Sequence, residues 1–177
     1  MLRWVFGAIA LSLLVAAAPA EARTKQVALP QSQATGPVEG ELDGDYPMGA
    51  IVIKTSERKL YYSLGNGRAL IYRIATGKVG FGWTGQSWVS MKTKNPGWYP
   101  TARMRAAGAP RYVGPGPSNP LGVRAIYLGW SEYRIHGTNA PGSIGSASSS
   151  GCFRMLNADV TDLFERVAVG APVYVIQ

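Results

Sequence analysis

Apolar residues in this chain fall into short runs rather than long helical stripes, and this pattern predicts strands. From residue 50 onwards, β-branched and aromatic residues are concentrated in short segments that are separated by glycine or polar turns. The segments KLYYSL and ALIYRIA flank Gly65-Asn66-Gly67, a sequence typical of a hairpin turn. Further strands are predicted at residues 50–54, Ser87–Met91, Val123–Leu128, Glu132–Ile135 and Val173–Ile176.

The one clear helical pattern lies near the C-terminal end. Apolar residues there recur at the spacing i, i+3, i+4, i+7. They are Val160, Leu163, Phe164 and Val167. Asn157 is a favourable N-cap and Gly170 a favourable stop, so the helix is predicted between them. The predicted fold class is therefore mainly β, with one late α-helix.

Two segments show neither pattern. Residues 21–47 mix Pro, Gly, Gln, Thr and acidic residues, which predicts a flexible tether. Residues 92–121 are dense in Pro, Gly and Trp, and a loop of that length and aromatic content is typical of a packed lid. We therefore expect a single folded domain over residues 48–177, with the lid inside it.

The first twenty residues have the layout of a secretory signal peptide. Arg3 precedes an apolar run from Trp4 to Ala18, and small residues follow around Pro19. The run is shorter than the roughly 20 residues that span a bilayer, so we expect no stable membrane span after cleavage. Cleavage is expected after Ala20 or Ala22, which would place the protein in the periplasm or cell wall.

The chain is basic, with a formal net charge of +8 that falls by one if the segment containing Arg3 is removed. A positive surface favours an anionic partner. For an exported protein we do not expect nucleic acid, and an anionic envelope polymer or membrane surface fits better.

The only histidine and the only cysteine of the chain, His136 and Cys152, lie sixteen residues apart. An unpaired cysteine in an exported domain is either a buried structural thiol or a reactive one. Its neighbours are glycine, serines and arginine, which do not resemble a core strand. A thiol needs a nearby imidazole or positive charge to ionise at neutral pH, so the pair predicts nucleophilic catalysis. Two ligands cannot form a zinc site without scattered carboxylates, and no metal is expected.

Two neighbours of the cysteine extend this hypothesis. Gly151 would let a substrate approach the main chain, whose N–H groups can stabilise an oxyanion. Arg154 either holds a substrate carboxylate or is an ordinary surface charge. At least one hydroxyl of the serine run at residues 146–150 is expected within hydrogen-bonding reach of the site.

The segment HGTN, then P-x-SIG, then S-x-GC-x-RM, between His136 and Met155, resembles the active-site signature of the L,D-transpeptidase catalytic domain family (YkuD-type). NPLG, NPGWYP, the opening KLYY strand and the final helical pattern also resemble that family, over about residues 48–176. The resemblance implies an L,D-transpeptidase-like β-sandwich. Ser150 departs from the pattern, because many members carry a histidine or another basic residue there, and the Thr-Pro-x-Gly often seen upstream is reduced to Thr84-Gly85.

The resemblance implies a role for each matching residue. Cys152 is the acylated nucleophile, His136 is its base, and the main-chain carbonyl of Gly137 orients the imidazole. Gly151 helps to line the oxyanion site. The remaining matches, expected at the substrate or oxyanion side, are Ser149, Ser150 and Arg154.

The implied substrate is the peptide stem of peptidoglycan. Cys152 would attack the third stem residue, expel the terminal D-alanine and form a thioester, which an amine of a neighbouring stem resolves to a 3–3 cross-link. Water as acceptor would make the protein an L,D-carboxypeptidase, and an envelope lipoprotein would make it an anchoring enzyme. No metal or organic cofactor is implied, and carbapenems are expected to acylate Cys152.

Other classes fit less well. Sortases place His and Cys on well separated strands, and papain-like peptidases place Cys before His. A non-catalytic peptidoglycan-binding domain would be expected to have lost His136, Gly151 or Cys152, and all three are present.

Overall fold

The computed structural model describes Met1, residues 36–129 and residues 131–177. The predicted signal peptide and most of the predicted tether therefore lie outside the described residues. Within the described part, the chain forms eleven strands and two α-helices. The strands are β1 Val38–Glu41, β2 Ile51–Lys54, β3 Lys59–Gly65, β4 Arg68–Arg73, β5 Thr76–Gly77, β6 Gly85–Lys94, β7 Arg124–Leu128, β8 Arg134–His136, β9 Ala147–Ser149, β10 Phe153–Arg154 and β11 Pro172–Ile176. The helices are α1 Ala102–Ala106 and α2 Asn157–Arg166.

Nine strands form one sheet in the order β1-β4-β3-β2-β11-β6-β7-β8-β10, and β5 pairs with β9 separately. The hairpin between β3 and β4 turns through Asn66 and Gly67, which both have positive φ, as the sequence predicts. Two of the pairings in the large sheet are parallel: β2 with β11, and β8 with β10. The predicted mainly β fold with a late helix is confirmed.

The main core lies where the sheet and α2 meet. Ile51, Ile126 and Ile135 are fully buried on β2, β7 and β8, and they join a cluster that includes Leu163 and Phe164 of the helix. Because β-branched side chains pack well on a pleated surface, these strands bury their apolar residues against one another and against α2. Packing in this core therefore holds β7 and β8 in place and supports the loops that follow these two strands.

Part of the predicted tether belongs to the fold. Strand β1 lies inside residues 21–47 and pairs with β4, with Val38 opposite Ile71. The Gly36 N–H donates to the Asp159 carboxylate at 2.7 Å, and Leu42 is buried. The prediction missed this strand because VEGE has no alternation of apolar and polar residues. The strand forms at the edge of the sheet, where its backbone pairs with β4.

Helix α2 differs from the prediction at both ends. Leu156 is the N-cap residue and Asn157 is the first helical residue, so Asn157 does not cap the helix. The helix ends at Arg166 rather than at Gly170, and Val167 follows in extended conformation. The buried apolar stripe of Val160, Leu163 and Phe164 is as predicted. The side-chain amide of Asn157 instead hydrogen-bonds to the main chain of Thr138, in the loop after β8.

The predicted lid over residues 92–121 begins later than expected, because β6 continues to Lys94. It also contains the short helix α1, which begins after Thr101, whose hydroxyl accepts from the Met104 N–H at 3.3 Å. The lid is held at its base by Asn119, which is fully buried. Its amide nitrogen donates to the carbonyls of Pro96, Val113 and Gly114 at 2.7–3.3 Å, and its oxygen accepts from the Leu121 N–H at 2.8 Å.

Candidate active site

The parallel pairing of β8 and β10 brings the two singular residues of the chain together. Arg154 on β10 lies opposite His136 on β8, and the Met155 N–H donates to the His136 carbonyl at 2.8 Å. His136 is the last residue of β8, and Cys152 immediately precedes β10. Because β10 pairs with β8, the connection between them brings Cys152 back to the strand that carries His136. His136 and Cys152 line the same cavity.

The imidazole of His136 is held by its own neighbour in the chain. Its Nδ1 lies 2.6 Å from the Gly137 carbonyl oxygen, and since a carbonyl only accepts, Nδ1 carries the proton. Nε2 is therefore the unprotonated nitrogen. Burial lowers the pKa of His136 to about 4, against the raising effect of the Gly137 hydrogen bond, and Arg154 and Arg134 lower it further. At neutral pH the ring is a neutral base.

Cys152 is half-buried, and its thiol lies 3.8 Å from the Glu132 carbonyl oxygen. Burial raises the pKa of this thiol, because a thiolate loses its hydration there. Hydrogen bonding from Arg134 and the positive charges of Arg134 and Arg154 lower it. Since the thiol pKa is raised and the imidazole pKa is lowered, the resting pair is a neutral thiol beside a neutral imidazole.

The loop before Cys152 is organised by Ser149, which is buried. Its hydroxyl donates to the Cys152 carbonyl at 2.5 Å and accepts from the Gly151 N–H at 3.1 Å. Ser149 therefore shapes the nucleophile loop, and it also lines the cavity, so its expected place at the substrate or oxyanion side stays a prediction. The Gly151 N–H donates to the Ser149 hydroxyl in this conformation, and its expected oxyanion role likewise stays a prediction.

Gly151 is required for the shape of that loop. Its φ is +112°, and a Cβ there would lie 2.6 Å from Tyr133 Cε1 and 3.1 Å from the Phe81 carbonyl oxygen. Such a φ favours glycine. The glycine lets the chain pass under Tyr133, whose ring stacks on Trp83 with centroids 5.0 Å apart.

The loop after His136 is held by the amide of Asn157. Its oxygen accepts from the Thr138 N–H, and its nitrogen donates to the Thr138 carbonyl, both at 3.1 Å. A Cβ on Gly122 or Gly137 would overlap this amide, so both positions need glycine. We call this pair of hydrogen bonds between Asn157 and Thr138 the Asn157 clamp. It holds the chain next to Gly137, whose carbonyl orients the imidazole of His136.

The cavity has a volume of about 870 Å³ and lies between the lid and the two active-site loops. Trp98, Tyr99 and the α1 residues Ala102, Arg103 and Met104 line its lid side. The lining residues of the cavity include four cationic ones and one acidic one. They are Lys78, Arg103, Arg134, Arg154 and Glu132. The excess of positive charge favours a substrate with carboxylates.

The lid side is tied to the opposite wall through Phe81. The Arg103 guanidinium carbon lies 4.7 Å from the centroid of the Phe81 ring, and Lys78 Nζ lies 5.1 Å from it. These contacts are cation–π interactions, which hold α1 across the cavity mouth.

Residues 48–175 match the family model described as YkuD, the L,D-transpeptidase catalytic domain, and this range covers more than half of the chain. The chain belongs to the L,D-transpeptidase catalytic domain family. It is 42% identical over 137 residues to the probable L,D-transpeptidase YbiS of Escherichia coli K12, covering 71% of this chain and 44% of that protein. The chain spans about half the length of the curated relatives that it matches.

Solved structures share the fold. L,D-transpeptidase 3 from Mycobacterium tuberculosis has a TM-score of 0.59 at 15% identity, covering 74% of this chain and 62% of that chain. A protein from Brucella melitensis, described as a probable carnitine operon oxidoreductase, is 41% identical with a TM-score of 0.53, covering 76% of this chain and 89% of that chain. The family assignment rests on the family model and the curated relatives.

In this L,D-transpeptidase domain, all seven residues singled out in the sequence lie around one site. His136, Ser149, Ser150, Cys152 and Arg154 line the cavity. Gly137 contributes its carbonyl to the imidazole and Gly151 its backbone conformation. Arg154 is half-buried, lies opposite His136 in the strand register and lines the cavity, which favours the expected carboxylate-binding role over an ordinary surface charge.

The sequence reasoning missed Arg134 and Asn157. Arg134 precedes His136 by two residues on β8, and alternating side chains on a strand put both on the same face. That spacing is a usable signal once the strand is assigned. Asn157 gives no such signal, because its amide hydrogen-bonds to the main chain of Thr138, which is distant in the sequence.

No group of three or more His, Cys, Asp or Glu side chains that could hold a metal occurs within residues 36–129 and 131–177. No helix in that part of the chain is long and apolar enough to cross a membrane.

Proposed function

We propose that this protein is an exported L,D-transpeptidase that transfers acyl groups between peptidoglycan stem peptides through a thioester on Cys152. The observation that supports the proposal most directly is the convergence of Cys152 and a neutral His136 in one cavity, with Nδ1 of the imidazole already occupied by Gly137. A base with a fixed tautomer beside a thiol is the arrangement that nucleophilic acyl transfer needs.

In the first half-reaction, Nε2 of His136 takes the thiol proton as the sulphur attacks the carbonyl carbon of the third stem residue. The carbon–nitrogen bond to the terminal D-alanine then breaks, and the departing amine takes the proton from the imidazolium. The products are a Cys152 thioester and free D-alanine, so charge and atoms balance.

In the second half-reaction, an amine on a neighbouring stem attacks the thioester and gives its proton to His136. The carbon–sulphur bond breaks, the electron pair stays on sulphur, and the imidazolium returns the proton to it. The result is a 3–3 cross-link. Water in place of the amine would give a tripeptide, and an envelope lipoprotein as acceptor would give an anchored protein.

The charge of the cavity supports an anionic peptide substrate. Stem peptides carry free carboxylates, and Arg154 lies half-buried beside His136, where a paired hydrogen bond to a carboxylate would position the scissile carbonyl. Lys78 and Arg103, whose cationic groups lie over the Phe81 ring, add positive charge to the same cavity.

Disaccharide-tetrapeptide and mass spectrometry of the products test this function. The wild-type protein is expected to form a dimer that has lost one D-alanine, and Cys152→Ala is expected to form none. Ser148→Ala, at an exposed residue of β9 that does not line the cavity, is the matched control and should retain product formation. Tripeptide without dimer would move the assignment to a carboxypeptidase, and equal turnover by Cys152→Ala would refute a cysteine mechanism.

The same cysteine is proposed to be the site of carbapenem acylation. Intact-mass measurement should show one added carbapenem on the wild-type protein and none on Cys152→Ala. An adduct on the alanine variant would place the reactive group elsewhere.

Export is proposed from the layout of residues 1–20, and the N-terminus of the protein recovered from the cell envelope tests it. The mature chain is expected to begin at residue 21 or 23. Protein that carries residue 1 in the envelope fraction would contradict cleavage.

A further inference from the structure

A charged side chain on β8 lies close to the proposed nucleophile. Arg134 has the same strand orientation as His136, and both residues line the cavity that contains Cys152. The Cys152 thiol lies 3.8 Å from the carbonyl oxygen of Glu132, two residues before Arg134, and hydrogen bonding and charge from Arg134 lower the pKa of the thiol. Arg154, on β10, lowers that pKa through its charge alone.

The guanidinium is held by an aromatic ring rather than by a carboxylate. Tyr127 on β7 is the register partner of Arg134, and the guanidinium carbon lies 5.2 Å from the centroid of the Tyr127 ring. Among the described residues, Arg134 has no ion-pair partner within 4.0 Å, and its buried Nε has no hydrogen-bond partner. Its charge is thus uncompensated and lies beside the sulphur.

The nucleophile loop brings no cation of its own to the thiol. Residues 146–151, which precede Cys152, are serine, alanine and glycine, and their side chains are uncharged. The positive charge near the sulphur therefore comes from the neighbouring strands, from Arg134 on β8 and Arg154 on β10.

We propose that Arg134 is a further catalytic residue, whose guanidinium stabilises the negative charge on Cys152 Sγ when the proton moves to His136 and again when the thioester bond breaks. The inference rests on the proposed function for its place in the reaction. A hydrogen bond between two charged groups is stronger than one between neutral groups, so the contact gains strength as the thiolate forms. The neutral resting pair gains less from it, which favours the transition state over the ground state.

The charged and titratable groups that line the cavity with Cys152 define what a pH experiment reports. They are His136, Arg134, Arg154, Glu132, Lys78, Arg103, Tyr99 and Tyr133. His136 has a pKa of about 4, well below the range in which a thiol titrates. A pH profile of thiol reactivity above neutrality therefore reports the sulphur itself.

The test is the rate of alkylation of Cys152 by iodoacetamide, a neutral reagent, measured against pH on the full-length protein. Arg134→Gln is expected to move the midpoint of the profile upward by about one pH unit, as loss of an adjacent opposite charge does. Alkylation near pH 7 should then be about tenfold slower, while the rate at high pH stays the same. Arg134→Lys should shift the profile less, because it keeps the charge and loses the planar fork.

Arg124→Gln is the matched control. Arg124 is also an arginine with a buried, unpartnered Nε, but its guanidinium lies over Phe164, 5.4 Å from the ring centroid. Its alkylation profile should be that of the wild type. An unchanged profile in Arg134→Gln would overturn the proposal, and so would a rise in the KM for tetrapeptide with an unchanged profile, because that pattern marks a carboxylate-binding residue.

If Arg134→Gln misfolds, Arg134→Lys decides the proposal. The alkylation profile of Arg134→Lys must then lie at higher pH than that of the wild type, and an unchanged profile would overturn the proposal. The alkylation assay contains no peptidoglycan, so its outcome is independent of the proposed reaction. Failure of wild-type turnover would contradict the proposed function, whereas identical alkylation profiles would contradict only the role of Arg134.

Discussion

Asn157 and Thr138 are joined by two reciprocal hydrogen bonds of 3.1 Å, which tie the first residue of α2 to the loop that follows His136. Thr138 is buried, and the Asn157 amide is the hydrogen-bond partner of both its N–H and its carbonyl. Because Gly137 lies between Thr138 and His136 and orients the imidazole, this clamp connects the packing of the helix to the geometry of the proposed base.

Substitution of Asn157 should therefore destabilise the domain. Asn157→Ala removes both of these part-buried hydrogen bonds and is expected to lower the free energy of unfolding by about 1–2 kcal/mol. Asn139→Ala removes one exposed hydrogen bond to the Ser118 carbonyl and should change stability by less than about 0.5 kcal/mol. Urea unfolding followed by circular dichroism measures both, and equal stabilities would show that the clamp carries no energy.

Gly151 tests the backbone of the nucleophile loop. Gly151→Ala forces a Cβ onto Tyr133 at a φ of +112°, and is expected to cost about 1–3 kcal/mol and to slow Cys152 alkylation. Gly142→Ala, in the same connection after His136, meets no atom within 4 Å and should behave as the wild type. A Gly151→Ala variant with wild-type stability and alkylation rate would mean that the loop adapts freely.

Burial of a neutral His136 predicts a specific loss of stability in acid. Its folded-state pKa of about 4 lies below the ordinary 6.5, so between these values the unfolded chain binds a proton that the folded protein does not. The contribution is complete above pH 6.5, is lost as the pH falls, and levels off below about pH 4. The full size is about 3 kcal/mol.

Unfolding free energies of the wild type and His136→Gln between pH 7.5 and 4 measure this effect, with the pH range set by those two pKa values. The wild type should lose about 3 kcal/mol more than the variant over this interval. Parallel curves would show that the imidazole is accessible to protons in the folded state.

Asn119 predicts the behaviour of the lid. Asn119→Ala removes four hydrogen bonds from the lid base and should open the segment that contains Arg103, Arg105 and Arg111 to trypsin. Cleavage within this segment, identified by mass spectrometry, is expected to be at least about tenfold faster than in the wild type. Ser118→Ala, an exposed neighbour, should be cut at the wild-type rate, and resistance of Asn119→Ala would contradict the role of the amide.

The sequence predicted the parts of this protein that are governed by local pattern. The β3–β4 hairpin and the apolar face of α2 follow from turn chemistry and periodicity, and His136 and Cys152 were found because each occurs once. Strand β1 and the Asn157 clamp depend on partners that are distant in the chain, so no local signal marks them. The sequence also does not show that the Ser149 hydroxyl is hydrogen-bonded to two main-chain groups, because that depends on how the nucleophile loop folds back on itself.

The central claim is that Cys152 carries the acyl group, and trapping that intermediate tests it most directly. The wild-type protein is mixed with disaccharide-tetrapeptide, quenched in acid within the first turnovers, and analysed by intact mass and by peptide mapping. The account predicts an added mass equal to the donor without its terminal D-alanine, located on the peptide that contains Cys152 and absent from Cys152→Ala. Product formation with the acyl group on another residue, or with the adduct retained in Cys152→Ala, would contradict it.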